Sequence, residues 1–373
     1  PLGCGDDAET TPEPLVIEAG CNPLGAERDC LLPFPSDVFL ADGRVRVPEV
    51  AQLAPFDTKT DHYALHRPDG FPVGTPILAL LEGPIDDTPL PFWTGELAPS
   101  RTSASPTILL DAETGELVTH FAEVDPRAED DAARALIIRP LDRLVGGRRY
   151  VVAIQGLSQP DGAQLAPSRA FASLRDDAGA AHPDLAALSA RYEAEVFAPL
   201  AAAGVARDDL LLAWDFTTRT DDDAMGDLLA IREDLLGRLA AAPPAIAVVG
   251  VTDDVSPTIA RRIELELEVP LYVDSAGPGA RLSTSPPQAT TTVAVPFTVW
   301  VPPSVRDRGR GTPPARVRQF GHGCCGDRYE CDGFPSELAE ELGLVVVATD
   351  WWGMSAPDRA ILIEKITSDP ANL

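Results

Sequence analysis

The sequence predicts an α+β protein in two parts, a β-rich domain first and the opening of a mixed α/β domain second. Three observations carry that expectation. Short apolar or alternating runs broken by Pro, Gly and Asp fill the front of the chain, two helical periodicities flank an apolar run near residue 213, and residues 315–350 read as strand, Gly-rich loop, helix and wholly apolar strand. At 373 residues the chain exceeds one ordinary hydrophobic core, so two domains are the default.

In the first part, Pro33-Phe34-Pro35-Ser36-Asp37 and Asp69-Gly70-Phe71-Pro72 read as rigid loops, and residues 76–81, 105–110 and 117–124 as short strands between turns. Residues 135–140 and 150–154 are richer in β-formers, and a loop carrying Gly146-Gly147 predicts that they pair as a hairpin. Continued to a last strand at Ser168-Arg169-Ala170-Phe171, this pair resembles the closing strands of bacterial immunoglobulin-like (Ig-like) modules. Leu185, Leu188, Tyr192, Val196 and Leu200 recur at helical spacing, with Gly204 placed as a C-terminal cap. Leu210-Leu211-Leu212-Ala213-Trp214-Asp215-Phe216 is a buried-strand candidate. A second helix opens at Thr220 as N-cap, with Asp221, Asp222 and Asp223 favoured by the dipole of its first turn. Leucines from Leu228 to Leu239 line it until Pro243-Pro244 forces a stop.

Beyond residue 245 the pattern changes. Residues 262–272 alternate, 291–301 are β-rich, and 315–320 form a short strand ending at Gly321. A helix is expected over 336–342, with Ser336 as cap and Gly343 at its end, before the continuous apolar run 344–350, of the kind buried on both faces in a parallel sheet. Strand, helix, strand is a βαβ unit. The expected division is a flexible tether over 1–15, a β-rich domain with two helices over 16–244, and an incomplete α/β domain over 245–373.

The formal charge of −28 is spread along the chain, so the surface should repel phosphate backbones, and nucleic acid is not an expected partner. Lys59 and Lys365 are the two lysines, which reads as composition and not as a site. No run of about 18 apolar residues exists to span a bilayer. Pro1-Leu2-Gly3-Cys4 resembles the end of a bacterial lipoprotein signal, and an acidic, Thr/Pro-rich stretch to Pro14 follows as a tether would. That resemblance implies lipidation at Cys4 and an exported cell-surface or periplasmic lipoprotein of a Gram-negative bacterium, touching the membrane through its lipid anchor alone. The other reading is an ordinary cleaved signal peptide with Cys4 unmodified.

The remaining cysteines fall in two groups. Cys21 and Cys30 sit close together in a Pro/Gly-rich loop, which in an exported chain is most simply a disulfide. Cys324, Cys325 and Cys331 are odd in number: a free thiol, a vicinal Cys324–Cys325 bond and a zinc site with His322 all stay open. Ligands this tightly packed, without a C-x-x-C pair, surround a tetrahedral ion poorly, so no metal and no cofactor is expected.

Gly321-His322-Gly323-Cys324-Cys325-Gly326 follows a strand and precedes a helix, and fits the H-G-x-x-G pattern of lipase and esterase oxyanion loops. Glycines let the backbone turn sharply enough to aim an N–H at a carbonyl oxygen. The candidate site is therefore the backbone of His322, Gly323 and Cys324, with the Cys324 amide as donor.

These residues also carry a resemblance. Pro-Phe-Pro-Ser-Asp within 21–37, Asp69-Gly70-Phe71, Ala213-Trp214-Asp215-Phe216-Thr217, residues 320–330 and Ala348-Thr349-Asp350-Trp351-Trp352-Gly353 resemble the bacterial virulence-factor lipase N-terminal family. In that family of surface-lipoprotein lipases and esterases, a β-rich domain precedes an α/β-hydrolase domain. The resemblance implies a β-rich N-terminal domain, which the closing-strand resemblance makes Ig-like, the first part of an α/β-hydrolase domain, and an ester or lipid substrate. The family's loop usually carries apolar residues after His-Gly, where this chain has Cys324-Cys325.

A hydrolase of this kind needs a G-x-S-x-G elbow, then an acid, then a His. Gly353-Met354-Ser355-Ala356-Pro357 lacks the second Gly and no His follows it. The expectation is a fragment that supplies an oxyanion loop and stops before its nucleophile, inactive alone. The alternatives are a non-catalytic surface module binding a partner or glycan, and a thiol or metal protein built on Cys324, Cys325 and Cys331. His62, His66, His120 and His182 read as surface or turn residues, and Asp215 as a structural hydrogen-bonding group.

Overall fold

The computed structural model describes residues 15–25, 28–52, 67–282, 284–309 and 311–368. Cys4, nearly all of the expected tether, His62 and His66 lie outside them. The chain divides into two compact units, Pro1–Ala224 and Met225–Leu373. The division falls inside a helix, not at Pro243-Pro244, because that helix's first turn is tied into the first unit: Asp69 accepts from Thr220 N and Oγ1 at 2.9 and 2.6 Å, and Asp223 pairs with Arg44 and Arg219, each at 2.6 Å.

The first unit opens with a hairpin, β1 (Leu40–Ala41) and β2 (Arg44–Val45), turned by Asp42 and Gly43 at φ 51° and 68°. Positive φ at both central residues is what a two-residue hairpin turn demands, and Asp-Gly meets it. Next come β3 (Ile77–Ala79), β4 (Thr107–Asp111), β5 (His120–Val124), β6 (Leu136–Pro140) and β7 (Arg149–Gln155). Then follow α1 (Arg169–Arg175), α2 (Pro183–Tyr192), a π turn over Glu193–Phe197 leading into α3 (Ala198–Ala202), and β8 (Leu210–Thr217). The strands make two antiparallel sheets, ordered β3-β6-β5 and β4-β7-β8. Ile77 and Ile138 of one sheet, Leu109, Val152 and Trp214 of the other, and Phe171, Tyr192 and Leu200 of the helices are buried in one core. Each such side chain contributes about 1.5–3 kcal/mol on burial.

Three expectations are corrected here. Strands β6 and β7 are not a hairpin but belong to different sheets, because the loop between them is pinned to the end of β8: Thr218 accepts the Gly147 N–H and offers its Oγ1 to Arg148 N at 2.9 Å. Residues 169–175 are helical, not a closing strand, with the Ser168 hydroxyl capping Phe171 N. His120 is fully buried, bonded to Thr107 Oγ1 at 2.9 Å and Val118 O at 2.8 Å, and burial lowers its pKa.

The predicted strand 210–216 is buried, and the rigid Pro-Phe-Pro-Ser-Asp loop locks onto it. Trp214 Nε1 donates to Pro35 O at 2.7 Å, and Asp37 accepts from Thr217 N at 2.8 Å and Oγ1 at 2.7 Å. Asp215 faces Arg191 at 2.5 Å and Arg149 at 3.4 Å. Burial dominates both carboxyls, pushing Asp37 upward and Asp215 up to about 6.

After helix α4 (Asp221–Ala241), the second unit holds β9 (Ile246–Ser256), β10 (Ile259–Leu271), β11 (Thr291–Val301), α5 (Pro303–Arg306), β12 (Arg316–Phe320), α6 (Phe334–Leu342), β13 (Leu344–Thr349) and α7 (Arg359–Ser368). The sheet order is β12-β13-β11-β10-β9; β12 and β13 run parallel and the other neighbours antiparallel. Helix α6 begins two residues before Ser336, since Pro335 is preset for a first turn, and it ends at Gly343 with φ 63°. Of β13, Val346 and Ala348 are buried while Val345 and Val347 are half-exposed, so the run is covered fully on one face and not on both. Leu228 on α4 and Val248 on β9 are also exposed.

Candidate functional site

Because β12 and β13 are parallel neighbours, their carboxyl ends release two loops side by side, 321–333 and 350–358. The loops are stitched by Cys325 N to Met354 O and Ala356 N to Gly326 O, both 2.7 Å. His322 bridges them as well: its Nε2 accepts the Trp351 N–H at 2.8 Å and its Nδ1 donates to Gly323 O at 2.7 Å. An acceptor at one nitrogen and a donor at the other assign the neutral Nδ1–H tautomer.

The glycines are not equivalent. A Cβ at Gly326 would lie 1.8 Å from Glu330 Oε1, and one at Gly321 would meet the Trp351 ring at 3.0 Å, whereas Gly323 has nothing nearer than 3.7 Å. The sharp bend falls at Cys325, in the left-handed region at φ 60°. Gly323 N donates to Glu330 Oε2 at 2.9 Å and Gly326 N to Gly323 O at 3.1 Å. Among the described residues no acceptor meets the N–H of His322 or of Cys324.

Glu330 reaches the loop because its own segment is fastened to the sheet. Arg328 pairs through its guanidinium with Asp350, donates its N–H to Asp350 Oδ1 at 2.8 Å and its Nε–H to Thr298 Oγ1 at 3.0 Å, and lies 4.6 Å over the Tyr329 ring. Two residues beyond Glu330, Asp332 accepts from Trp300 Nε1 at 2.7 Å and pairs with Arg262 at 3.0 Å. Cys331 is fully buried in the small core, and burial pushes its thiol up to about 12. Cys324 is exposed and Cys325 half-exposed; both are free thiols, their Sγ atoms 3.8 Å apart. The Cys325 thiol is held above its usual range, first by its hydrogen bond with Cys324.

An apolar groove of about 450 Å³ runs over one face of the sheet, lined by Leu267, Val269, Val295, Phe297, Val347 and Trp352. It reaches Gln319, near the end of β12, and Asp350 and Trp352 of the second loop, but none of residues 321–326 lines it. Ser355 is buried, and its Oγ–H and N–H are both given to Asp358 Oδ2, at 2.7 and 2.9 Å. That is a helix cap, with the hydroxyl already engaged.

His322, Gly323 and Cys324 are thus brought together, with Cys325 adjoining them and Cys331 set apart in the core. In the first unit Cys21 and Cys30 are joined, S–S 2.08 Å. Glu330, Arg328, Asp350 and Trp351 escaped the sequence reading as parts of this site. Their spacing from the glycines follows no motif, and only charged and aromatic residues close behind a Gly-rich turn hinted at them. Among the described residues no group of three or more His, Cys, Asp or Glu is arranged to hold a metal ion, and no helix is long and apolar enough to cross a membrane. Compared with known proteins, the chain matches no family model, no curated protein and no solved structure.

Proposed function

We propose that the second unit is the first part of an α/β-hydrolase domain and that residues 321–326 are an oxyanion loop for carboxylic-ester hydrolysis, with the Cys324 amide as donor. One observation carries this reading: the N–H groups of Gly323, Cys325 and Gly326 each have an acceptor, while those of His322 and Cys324 have none among the described residues, and that of Cys324 follows the His-Gly pair, the donor position of such loops. Cys324 is exposed, so its N–H has no acceptor within the protein and is open to solvent or to a ligand atom that takes the place of water. This N–H lies in the loop between a strand and the helix leading to its parallel neighbour, the place that such oxyanion loops take in α/β-hydrolases. As a nucleophile adds to an ester carbonyl, charge gathers on the oxygen, and a donor held by its neighbours' bonds needs no reorganisation to receive it.

The nucleophile, acid and base are not among these residues, since no G-x-S-x-G elbow is present and the Ser355 hydroxyl is engaged by Asp358. The chain by itself is therefore inert toward esters. The apolar groove beside the loops favours an acyl chain, hence a lipid or short-ester substrate. We read the first unit as an Ig-like module, on the support of its two antiparallel sheets around one core, and the chain as an exported lipoprotein tethered through Cys4. Mass spectrometry of the protein from its native cells tests the tether: an unlipidated Cys4 removes it. A second reading, a module that binds a partner or glycan, is favoured by a polar cleft of about 660 Å³ in the first unit, lined by Gln155, Gln164, Arg175, Asp208 and Asp209.

The test of the enzyme reading is p-nitrophenyl ester turnover together with fluorophosphonate labelling, on the protein isolated from its native cells and on this chain alone. The native protein should turn over ester and carry the label on a serine other than Ser355, while the chain alone shows no turnover above buffer. A native protein with neither property, or an active isolated chain, refutes the assignment.

A further inference from the structure

We infer that Cys324 and Cys325 are a reversible redox pair, closing to a vicinal disulfide that resets the loop they sit in. Three observations support the pairing. The two Sγ atoms are already 3.8 Å apart, Cys324 is exposed to an incoming oxidant, and the third free cysteine is sealed in the core. The Cys331 thiol is held protonated by its burial and offers no thiolate to compete.

The oxidant is a small or protein disulfide, RSSR. The Cys324 thiolate attacks one sulfur of RSSR and expels RS⁻, forming a mixed disulfide. The Cys325 thiolate then attacks the Cys324 sulfur and expels the second RS⁻. The pair loses two electrons and two protons, and two RSH are formed. A dithiol reductant reverses both steps.

Closure has a mechanical consequence. Consecutive Cα atoms stand about 3.8 Å apart across a trans peptide, below the roughly 4.4–6.8 Å span of ordinary disulfides, so the new ring must twist the peptide that links the two residues. That peptide's N–H belongs to Cys325 and is bonded to Met354 O, the stitch between the two loops. Oxidation therefore loosens the stitch and re-aims the neighbouring Cys324 N–H. If the oxyanion role proposed above holds, on which this last consequence rests, the bond switches the donor out of register.

The test uses the folded chain, reduced and then exposed to oxidised glutathione, trapped with N-ethylmaleimide and mapped by peptide mass spectrometry. The peptide holding Cys324 and Cys325 should come out two hydrogens lighter, free of maleimide and glutathione, with Cys331 labelled only after denaturation. Cys325→Ser should stop at a single glutathione on Cys324. In the oxidised chain the Cys325 amide should exchange with deuterium roughly tenfold faster, as the loss of one ordinary hydrogen bond implies. Glutathione or maleimide left on both cysteines at saturating oxidant, or a bond to Cys331, overturns the pairing; unchanged exchange at Cys325 overturns the switch. Neither readout uses ester turnover, so a failed ester assay bears on the hydrolase reading alone.

Discussion

Gly326→Ala probes the geometry that holds the loop. The new Cβ would stand 1.8 Å from Glu330 Oε1 and 2.8 Å from its Cδ, so the glutamate must swing out and its 2.9 Å bond from Gly323 N is lost. A hydrogen bond to a charged group contributes about 1.5–3 kcal/mol, and this exposed one belongs at the low end, about 1.5 kcal/mol. Gly326 is not in the left-handed region, so alanine adds no backbone strain and recovers about 0.5 kcal/mol by restricting the unfolded chain. The expected net loss is about 1 kcal/mol. Glu330→Ala removes the same bond, so the double variant should be about 0.5 kcal/mol more stable than Glu330→Ala alone, a coupling of about 1.5 kcal/mol. Hydrogen exchange at Val346 and Ala348, buried in this unit, reads its stability without assuming that both units unfold together. Strictly additive losses would refute the claim that Gly326 is there to admit Glu330.

Four further outcomes are expected. Asp215 has a folded pKa raised to about 6 from an ordinary 3.8, so the native state holds its proton more tightly between those values and stability falls as pH rises through them. Urea titrations at pH 4 and pH 7 should show this group's contribution falling by up to about 3 kcal/mol, a drop that Asp215→Asn removes. Cys21→Ala with Cys30→Ala opens a short loop, sequence separation 9, and should cost about 3 kcal/mol by loop-closure entropy, read as a lower Tm under oxidising conditions. Arg328→Met leaves Asp350 half-buried without its cation and should cost about 2 kcal/mol, seen as faster exchange in β13. Trp214→Phe deprives the buried Pro35 carbonyl of its donor and should cost about 2 kcal/mol in urea melts of the first unit.

What the sequence disclosed, and what it hid, follows from the range of the interactions. Strands β8, β11, β12 and β13 were legible from local β-former runs, and the ends of α4 and α6 from Thr220 and Gly343, because caps and periodicity are short-range signals. The β6–β7 pairing misled, since a Gly-Gly loop between two strands is silent about the Thr218 contacts that send them to separate sheets. Helix α1 was hidden because Ser168-Arg169-Ala170-Phe171 suits either state until Phe171 finds the core. At the site the glycines announced a backbone turn. Glu330 filling the space over Gly326, and His322 bridging to Trp351, depend on where two separate loops land, which no spacing encodes.

The central claim is that the Cys324 N–H is a donor kept free for a developing oxyanion. Its most direct test compares Cys324→Pro, which lacks that N–H, with Cys324→Ala, which keeps it, in the protein produced in its native cells and assayed with p-nitrophenyl esters. The account predicts a fall in kcat of roughly 100- to 1000-fold for proline, with KM little changed, and a rate within a few fold of the parent for alanine. Equal rates in the two variants would contradict it.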